Sequence, residues 1–283
     1  INKITSLSTT GGRRGKGIVF LWAAGNDNCP IQHVSNLNIP HTHGWGQRLD
    51  GSWYWIGVRT SRVFEHNLVD IPGVMHIAAL ASDAKRSHYS NYGTGISMCA
   101  ASSNGHAYFR MDVDGLGITT ATGQGSRVTD QFGGTSSATP LVAGVAALVI
   151  SANPNLTAAD VLAILKQTAS KDLRFGGYRR TPAAAYNSNT SWDISPVMPF
   201  DDGAFTDIGS TDGTWSPWFG HGNVDAANAV RVAIARRGDQ DASDFEQNYS
   251  WKMDKIRGIK SDEELDKLIL NYSRKEWISP RIN

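Results

Sequence analysis

The sequence predicts an α/β domain built on a mostly parallel sheet flanked by helices, and three observations predict it. Two short apolar runs read as strands buried on both faces. A longer, wholly apolar stretch behind Pro140 reads as a central buried helix. A capped amphipathic helix follows it, so strands alternate with helices.

The first strand is the run Gly17-Ile18-Val19-Phe20-Leu21-Trp22-Ala23-Ala24, ended by Gly25-Asn26, and the second is Val74 to Leu80, entered through Pro72-Gly73. Residues 27–71 between them are polar, rich in Trp, His, Gly and Asn, and show no clear period. That is long for a structureless loop, so local structure is expected there. Pro140 suits the first turn of a helix over Leu141–Ile150, where its missing N–H has no partner to lose. The run is apolar all round, which predicts burial of Leu141, Val145 and Leu148. Thr157-Ala158-Ala159-Asp160 reads as a capping box leading into Val161, Leu162, Ile164, Leu165 and Thr168. Residues 172–217 have loop composition, and Phe219 to Val230 reads as a glycine turn feeding a short helix.

Composition narrows the function classes. With 27 Lys and Arg against 26 Asp and Glu, the net charge of +1 argues against nucleic acid or an anionic membrane as the partner. The apolar run Leu141–Ile150 is about half of the roughly 20 residues a membrane span needs. Two cysteines exclude a disulfide-dense scaffold and a four-thiolate zinc site. The last fifty residues hold ten Lys and Arg and ten Asp and Glu. The expected organisation is a main body over 1–235 and a charged helical tail over 236–283. In that tail, Leu265, Leu268, Ile269 and Tyr272 form an apolar face. The opening Ile1-Asn2-Lys3 carries no initiator Met and no signal-peptide stretch, so upstream sequence is expected.

The strongest chemical signal is Gly133-Gly134-Thr135-Ser136-Ser137-Ala138-Thr139-Pro140. Glycines permit close backbone approach, and a serine at a helix N-terminus meets unpaired N–H groups and a dipole that favour developing negative charge. That suits a nucleophile for acyl transfer, and equally a plain Ser/Thr helix cap.

The full string from Gly134 through Pro140 into Leu141-Val142-Ala143-Gly144 resembles the nucleophile motif of the subtilisin-like serine proteases, the subtilases. Val19 to Asn26 resembles that family's strand ending in Ala-Gly-Asn, whose asparagine donates to the oxyanion. Tyr89-Ser90-Asn91-Tyr92-Gly93, Gly117-Ile118-Thr119-Thr120, Asn153 to Thr157 and Phe219 to Ala226 are similar to segments of the kexin/furin-like branch. The resemblance runs from about residue 17 to 233. It implies a subtilisin-like fold with the nucleophile helix at its centre, and a serine endopeptidase with Ser136 as nucleophile and Asn26 in the oxyanion hole.

The family also needs an Asp and a His before that asparagine, and the 25 residues ahead of Asn26 contain neither. His41-Thr42-His43-Gly44 comes after Asn26 and lacks the family's continuation; surface-loop histidines are the better reading. The resemblance therefore implies the C-terminal part of a catalytic domain, with an N-terminal segment carrying Asp and His as its partner and a polypeptide as substrate. It makes Trp22, Ala23, Ala24 and Gly25 one wall of the substrate pocket and residues 66–70 another. Asp70 would face a basic side chain there, or is a plain loop carboxylate. A Cys29–Cys99 disulfide is open on the resemblance, as are structural calcium, with Asp83 a weak ligand candidate, and a secreted or extracytoplasmic location. The competing functional readings are a catalytically inactive pseudoprotease and a structural scaffold fragment of a larger assembly.

Overall fold

A computed structural model describes residues 1–104, 116–122, 128–175, 196, 198–209 and 214–237, with the backbone alone at residues 37, 40, 42–46 and 53–59. The chain divides into two compact units, Ile1–Ala233 and Ile234–Asn283. The expected apolar face at Leu265, Leu268 and Ile269 lies outside the described residues.

Helix α1 (Asn2–Thr10) precedes strand β1 (Phe20–Ala23). Strand β1 pairs in parallel with β4 (Val74–Leu80), which pairs in parallel with β5 (Ile96–Ala101). In register, Trp22 lies beside His76 and Ala23 beside Ile77. Beyond β5 the segment Gly222–Val224 adds further backbone bonds, from Cys99 N–H to Gly222 C=O and from Val224 N–H to Cys99 C=O. Among the described residues, β1 is paired on one side only.

The sheets are mixed rather than mostly parallel. Two antiparallel ribbons accompany the parallel sheet: β2 (His33–Gln47) with β3 (Trp53–Phe64), and β6 (Ile118–Ala121) with β7 (Val128–Phe132). The first ribbon occupies the stretch that showed no period. Its turn holds Asp50-Gly51, with Gly51 at φ 84°, and Asp50 caps it by accepting from the Ser52 N–H at 2.9 Å. An Asp-Gly turn between β-branched and aromatic residues is a hairpin signal that polar composition obscured. His41 and His43 therefore sit on strand β2, not in a surface loop, and His41 packs edge-on against Phe64 with ring centroids 5.7 Å apart.

Helix α2 (Thr135–Ala152) lies on one face of the parallel sheet. Ala138, Val142, Ala146 and Val149 recur at helical spacing and meet Met75, Ile77, Met98 and Ala100. Helix α3 (Ala158–Thr168) adds Val161, Leu162, Ile164 and Leu165 to this core. Its capping box forms as expected: Thr157 Oγ1 accepts from the Asp160 N–H at 3.1 Å, and Asp160 Oδ2 accepts from the Thr157 N–H at 2.8 Å. Helix α4 (Ala226–Ala235) contributes Ala229 and Ala233.

Two expectations for α2 fail. Leu141 and Leu148 are 41% and 53% exposed and Val145 is half-buried, because one sheet can cover only one stripe of a helix. The helix also starts a full turn earlier than Pro140 suggests, so Pro140 lies inside it. Pro140 withholds a bond only from the Ser136 carbonyl, and Thr139 Oγ1 donates to the Thr135 carbonyl at 2.8 Å in the same turn. By length and a mean hydropathy of 1.5, α2 is apolar enough to cross a membrane, yet its buried stripe is part of this core.

Candidate active site

The first turn of α2 and the end of β1 meet. Gly134 caps the helix at φ 86°, ψ 162°, a backbone region open to glycine, and a Cβ there would lie 3.4 Å from Asn26 Nδ2. The Thr135 N–H donates to Asn26 Oδ1 at 2.8 Å, and Thr135 Oγ1 donates to the same oxygen at 3.0 Å while accepting from the Gly25 N–H at 3.1 Å. A backbone N–H can only donate, so the Asn26 amide is fixed with its oxygen inward and its NH2 as the outward donor.

The two adjacent serines part ways. Ser137 is buried, its hydroxyl donating to the Gly134 C=O at 2.9 Å and lying 2.8 Å from Ser102 Oγ. Ser136 is exposed, and its hydroxyl has no hydrogen bond to any described residue. The Ser137 and Ala138 N–H groups both turn to the Gly134 C=O, while the Ser136 N–H keeps no protein acceptor among the described residues. No acidic residue occupies the first turn to offset the helix dipole. One open hydroxyl, one open N–H and one outward amide thus gather at a positive helix end, an arrangement that can stabilise a tetrahedral oxyanion.

Asn91 holds the turn that presents Asn26. Its Nδ2 donates to the Ala24 C=O at 3.0 Å, and its Oδ1 accepts from the N–H groups of Asp27 (2.9 Å) and Cys29 (3.2 Å). Gly25, at φ 103°, must be glycine, because a Cβ would fall 2.5 Å from Asn91 Nδ2. Residue pattern alone assigns no individual role to Asn91, Tyr89, Ser102 or Thr135. For Tyr89 and Asn91 the signal is the polar string Tyr89-Ser90-Asn91 set between apolar segments.

Of the expected pocket wall, Trp22 is 38% exposed, Ala23 and Gly25 are half-buried, and Ala24 is buried. Asp70 is exposed in the loop before β4, at φ 63°, and accepts from Gln32 Nε2 at 3.3 Å. No hydrogen bond or ion pair joins it to Trp22–Gly25 among the described residues. None of the histidines with described side chains hydrogen-bonds Ser136.

Cys29 and Cys99 are not paired; both are free, buried thiols. Cys29 lies 3.6 Å from Asn91 Oδ1 in the turn, and Cys99 is enclosed in β5. Burial and the Asp27 charge push the Cys29 thiol up to about 12, and burial also pushes Cys99 up, so neither is a nucleophile. No group of three His, Cys, Asp or Glu gathers among the described residues, and Asp83 is engaged by Lys85 Nζ at 3.0 Å.

The profile of the subtilase family, peptidase S8, matches residues 1–222. A calcium-dependent protease of Trichormus variabilis is 28% identical over 233 residues, covering 79% of this chain and 26% of that protein. A dibasic-processing endoprotease of Yarrowia lipolytica is 26% identical over 287 residues, covering 97% of this chain and 23% of that protein. Among solved structures, the serine protease of Aeromonas sobria aligns over 82% of this chain and 39% of its own, at 19% identity and a TM-score of 0.47. The chain spans about a quarter of the length of these curated relatives. With an α/β fold and a family match over most of its length, the chain belongs to the subtilase family.

Proposed function

We propose that the chain is the C-terminal part of the catalytic domain of a subtilase serine endopeptidase. Ser136 Oγ attacks the scissile carbonyl, and a histidine from an upstream segment takes its proton, itself oriented by an upstream aspartate. The oxyanion forms against Asn26 Nδ2 and the Ser136 N–H. Collapse expels the amine, which receives the proton from the histidine, and water then releases the acyl group from Ser136.

The observation that carries this reading is the split between the two serines. Asn26 Oδ1 caps the helix by accepting from the Thr135 N–H, and Ser137 turns its hydroxyl inward to the Gly134 C=O, so neither capping nor packing accounts for the exposed Ser136 beside the locked Asn26. The exposed Leu141 and Leu148 and the edge of β1 that no described strand pairs support a further segment packing there. The kexin-like branch, with Asp70 receiving a basic side chain, draws support from the Yarrowia relative named as a dibasic-processing endoprotease. A secreted location belongs to the same proposal.

A silent scaffold is favoured by one observation, the lack of a base at Ser136 among the described histidines. Fluorophosphonate labelling of the protein with its upstream segment, mapped by peptide mass spectrometry, separates the two readings. Label on Ser136 supports the endopeptidase; label on Ser137 overturns the nucleophile assignment, and no label favours the scaffold.

A further inference from the structure

The backbone on either side of Gly134 is held by side chains outside the nucleophile motif. Gly134 lacks a Cβ, so sterics do not fix its φ and ψ, yet those angles decide where the next two residues point. Gly133 is equally constrained to be glycine, because a Cβ there would fall 1.8 Å from Ser103 Oγ. Two adjacent glycines give the close approach the site needs and also wide backbone freedom.

That freedom is removed by hydrogen bonds. The Gly134 N–H donates to Tyr89 Oη at 2.9 Å, and Tyr89 Oη donates in turn to the Ser103 C=O at 2.8 Å. Ser102 Oγ, 2.9 Å from Tyr89 Oη, donates to the Gly134 C=O at 2.8 Å. The peptide plane before Gly134 is thus gripped by Tyr89. The plane after it is gripped at its oxygen by Ser102 and at its nitrogen by Asn26 Oδ1. Ser102 and Ser103 follow directly on β5, so the grip is anchored to the parallel sheet. Tyr89 itself is braced edge-on by His88, ring centroids 5.1 Å apart. The next N–H along the chain is that of Ser136.

We infer that Tyr89 is a positioning residue that, with Ser102, sets the direction of the Ser136 N–H and hydroxyl by fixing both peptide planes around Gly134. This rests on the assignment of Ser136 and Asn26 made above. Tyr89 does not touch the reacting atoms; it acts through the Gly134 backbone. Its hydroxyl is the operative group, since the ring alone offers the N–H no acceptor.

Tyr89→Phe keeps the ring and removes the hydroxyl, and Ser102→Ala independently removes one of the two hydroxyl donors to the Gly134 C=O, Ser137 Oγ being the other. Both are compared with wild type in the full protein, upstream segment included. Three readouts are needed: the rate of fluorophosphonate labelling at Ser136, kcat and KM on a peptide substrate, and amide hydrogen exchange at Gly134 and Ser136. The expected result for Tyr89→Phe is a labelling rate and kcat lower by about 10- to 100-fold, the scale of a misplaced reacting group. KM should change little and the Gly134 amide should exchange faster. Ser102→Ala should shift the same readouts in the same direction. A loss of turnover caused only by general destabilisation would spread exchange across the sheet and raise KM as well, and that outcome overturns the inference. So does wild-type labelling by both variants, or unchanged Gly134 exchange. If wild type takes no label at Ser136, the nucleophile assignment fails with the catalytic half of the inference. The exchange readout then still decides the grip on Gly134.

Discussion

Asn26 and Thr135 are joined twice through a single oxygen: the Thr135 N–H and Oγ1 both donate to Asn26 Oδ1, at 2.8 and 3.0 Å. The bond that caps the helix is therefore also the bond that turns the Asn26 NH2 outward. Structure and proposed chemistry share one amide but use its two ends separately.

That separation is testable by substitution. Asn26→Asp retains an oxygen for Thr135 but replaces the outward donor with negative charge beside the developing oxyanion. Asn26→Ala removes both ends. In the full protein, Asn26→Ala should lower kcat by about 10²–10³, a scale that belongs to subtilisin's own oxyanion asparagine. Asn26→Asp should lower kcat at least as far while keeping a higher melting temperature than the alanine variant. Equal melting temperatures for the two variants would mean that the Asn26–Thr135 bonds contribute nothing to stability.

The two faces of α2 should respond differently. Val149 is fully buried against the sheet core, so Val149→Ala should destabilise by about 2 kcal/mol from lost burial and the cavity left behind. Leu148, next to it in sequence, is 53% exposed, and Leu148→Ser should cost less than about 0.5 kcal/mol in this chain alone. Where the upstream segment is present, Leu148→Ser should weaken its retention on size-exclusion chromatography. Equal unfolding midpoints for the two variants in this chain alone would contradict the one-sided packing.

How much of this the sequence disclosed follows from the range of the forces involved. Local signals were readable: the Thr157 cap, the β1 and β4 runs, and the Gly-Thr-Ser turn all form where residue pattern places them. Hairpin β2–β3 was missed because its signal is the Asp50-Gly51 turn, whereas polar and aromatic composition suggested irregular chain. Strand β5 was missed because Ile96–Ala101 is short and made largely of small residues. Leu141 and Leu148 were misplaced because apolar character reports what can be buried, not which partner is there to bury it. The task of Asn91, though its segment stood out, was unreadable for a related reason: its partners, Ala24, Asp27 and Cys29, lie more than sixty residues upstream.

His76 gives the molecule a predictable acid sensitivity. It is 2% exposed on β4, and its Nε2 lies 3.3 Å from His66 Nδ1, which also accepts from the Leu68 N–H at 3.3 Å. Burial first, and His66 second, push the His76 imidazole down to about 4, against an opposing pull from the Asp70 carboxylate. Between about 4 and the unfolded value of 6.5, the unfolded chain binds more protons than the folded one. Stability therefore rises with pH through that window and is lost as pH falls through it, by a few kcal/mol at most, on the order of 3 to 4. Urea midpoints between pH 7 and 4 should show this slope in wild type and a shallower one in His76→Gln. An equal slope in both would assign the acid sensitivity to other groups.

The last prediction concerns residues 1–283 by themselves. A serine hydroxyl is a weak nucleophile at neutral pH and needs a base within hydrogen-bond reach. His66 and His76 face each other at 3.3 Å, and His88 Nδ1 lies 3.0 Å from Asn104 Oδ1, while His41 packs on Phe64 in the hairpin. None of them bonds Ser136. What remains at the site is the oxyanion arrangement, which without a working triad supports roughly 10³–10⁴-fold catalysis over water. Among the described residues β1 is unpaired at one edge, and Leu141 and Leu148 face solvent, which loosens the support of that arrangement further. Purified residues 1–283 should accordingly hydrolyse a peptide substrate little above background and take fluorophosphonate slowly. Addition of a segment bearing the Asp and His should restore both, and the restored activity should disappear in Ser136→Ala. Ser136-dependent turnover at full rate, with native mass spectrometry finding no second polypeptide, would falsify the upstream base and assign that role to a histidine of this chain.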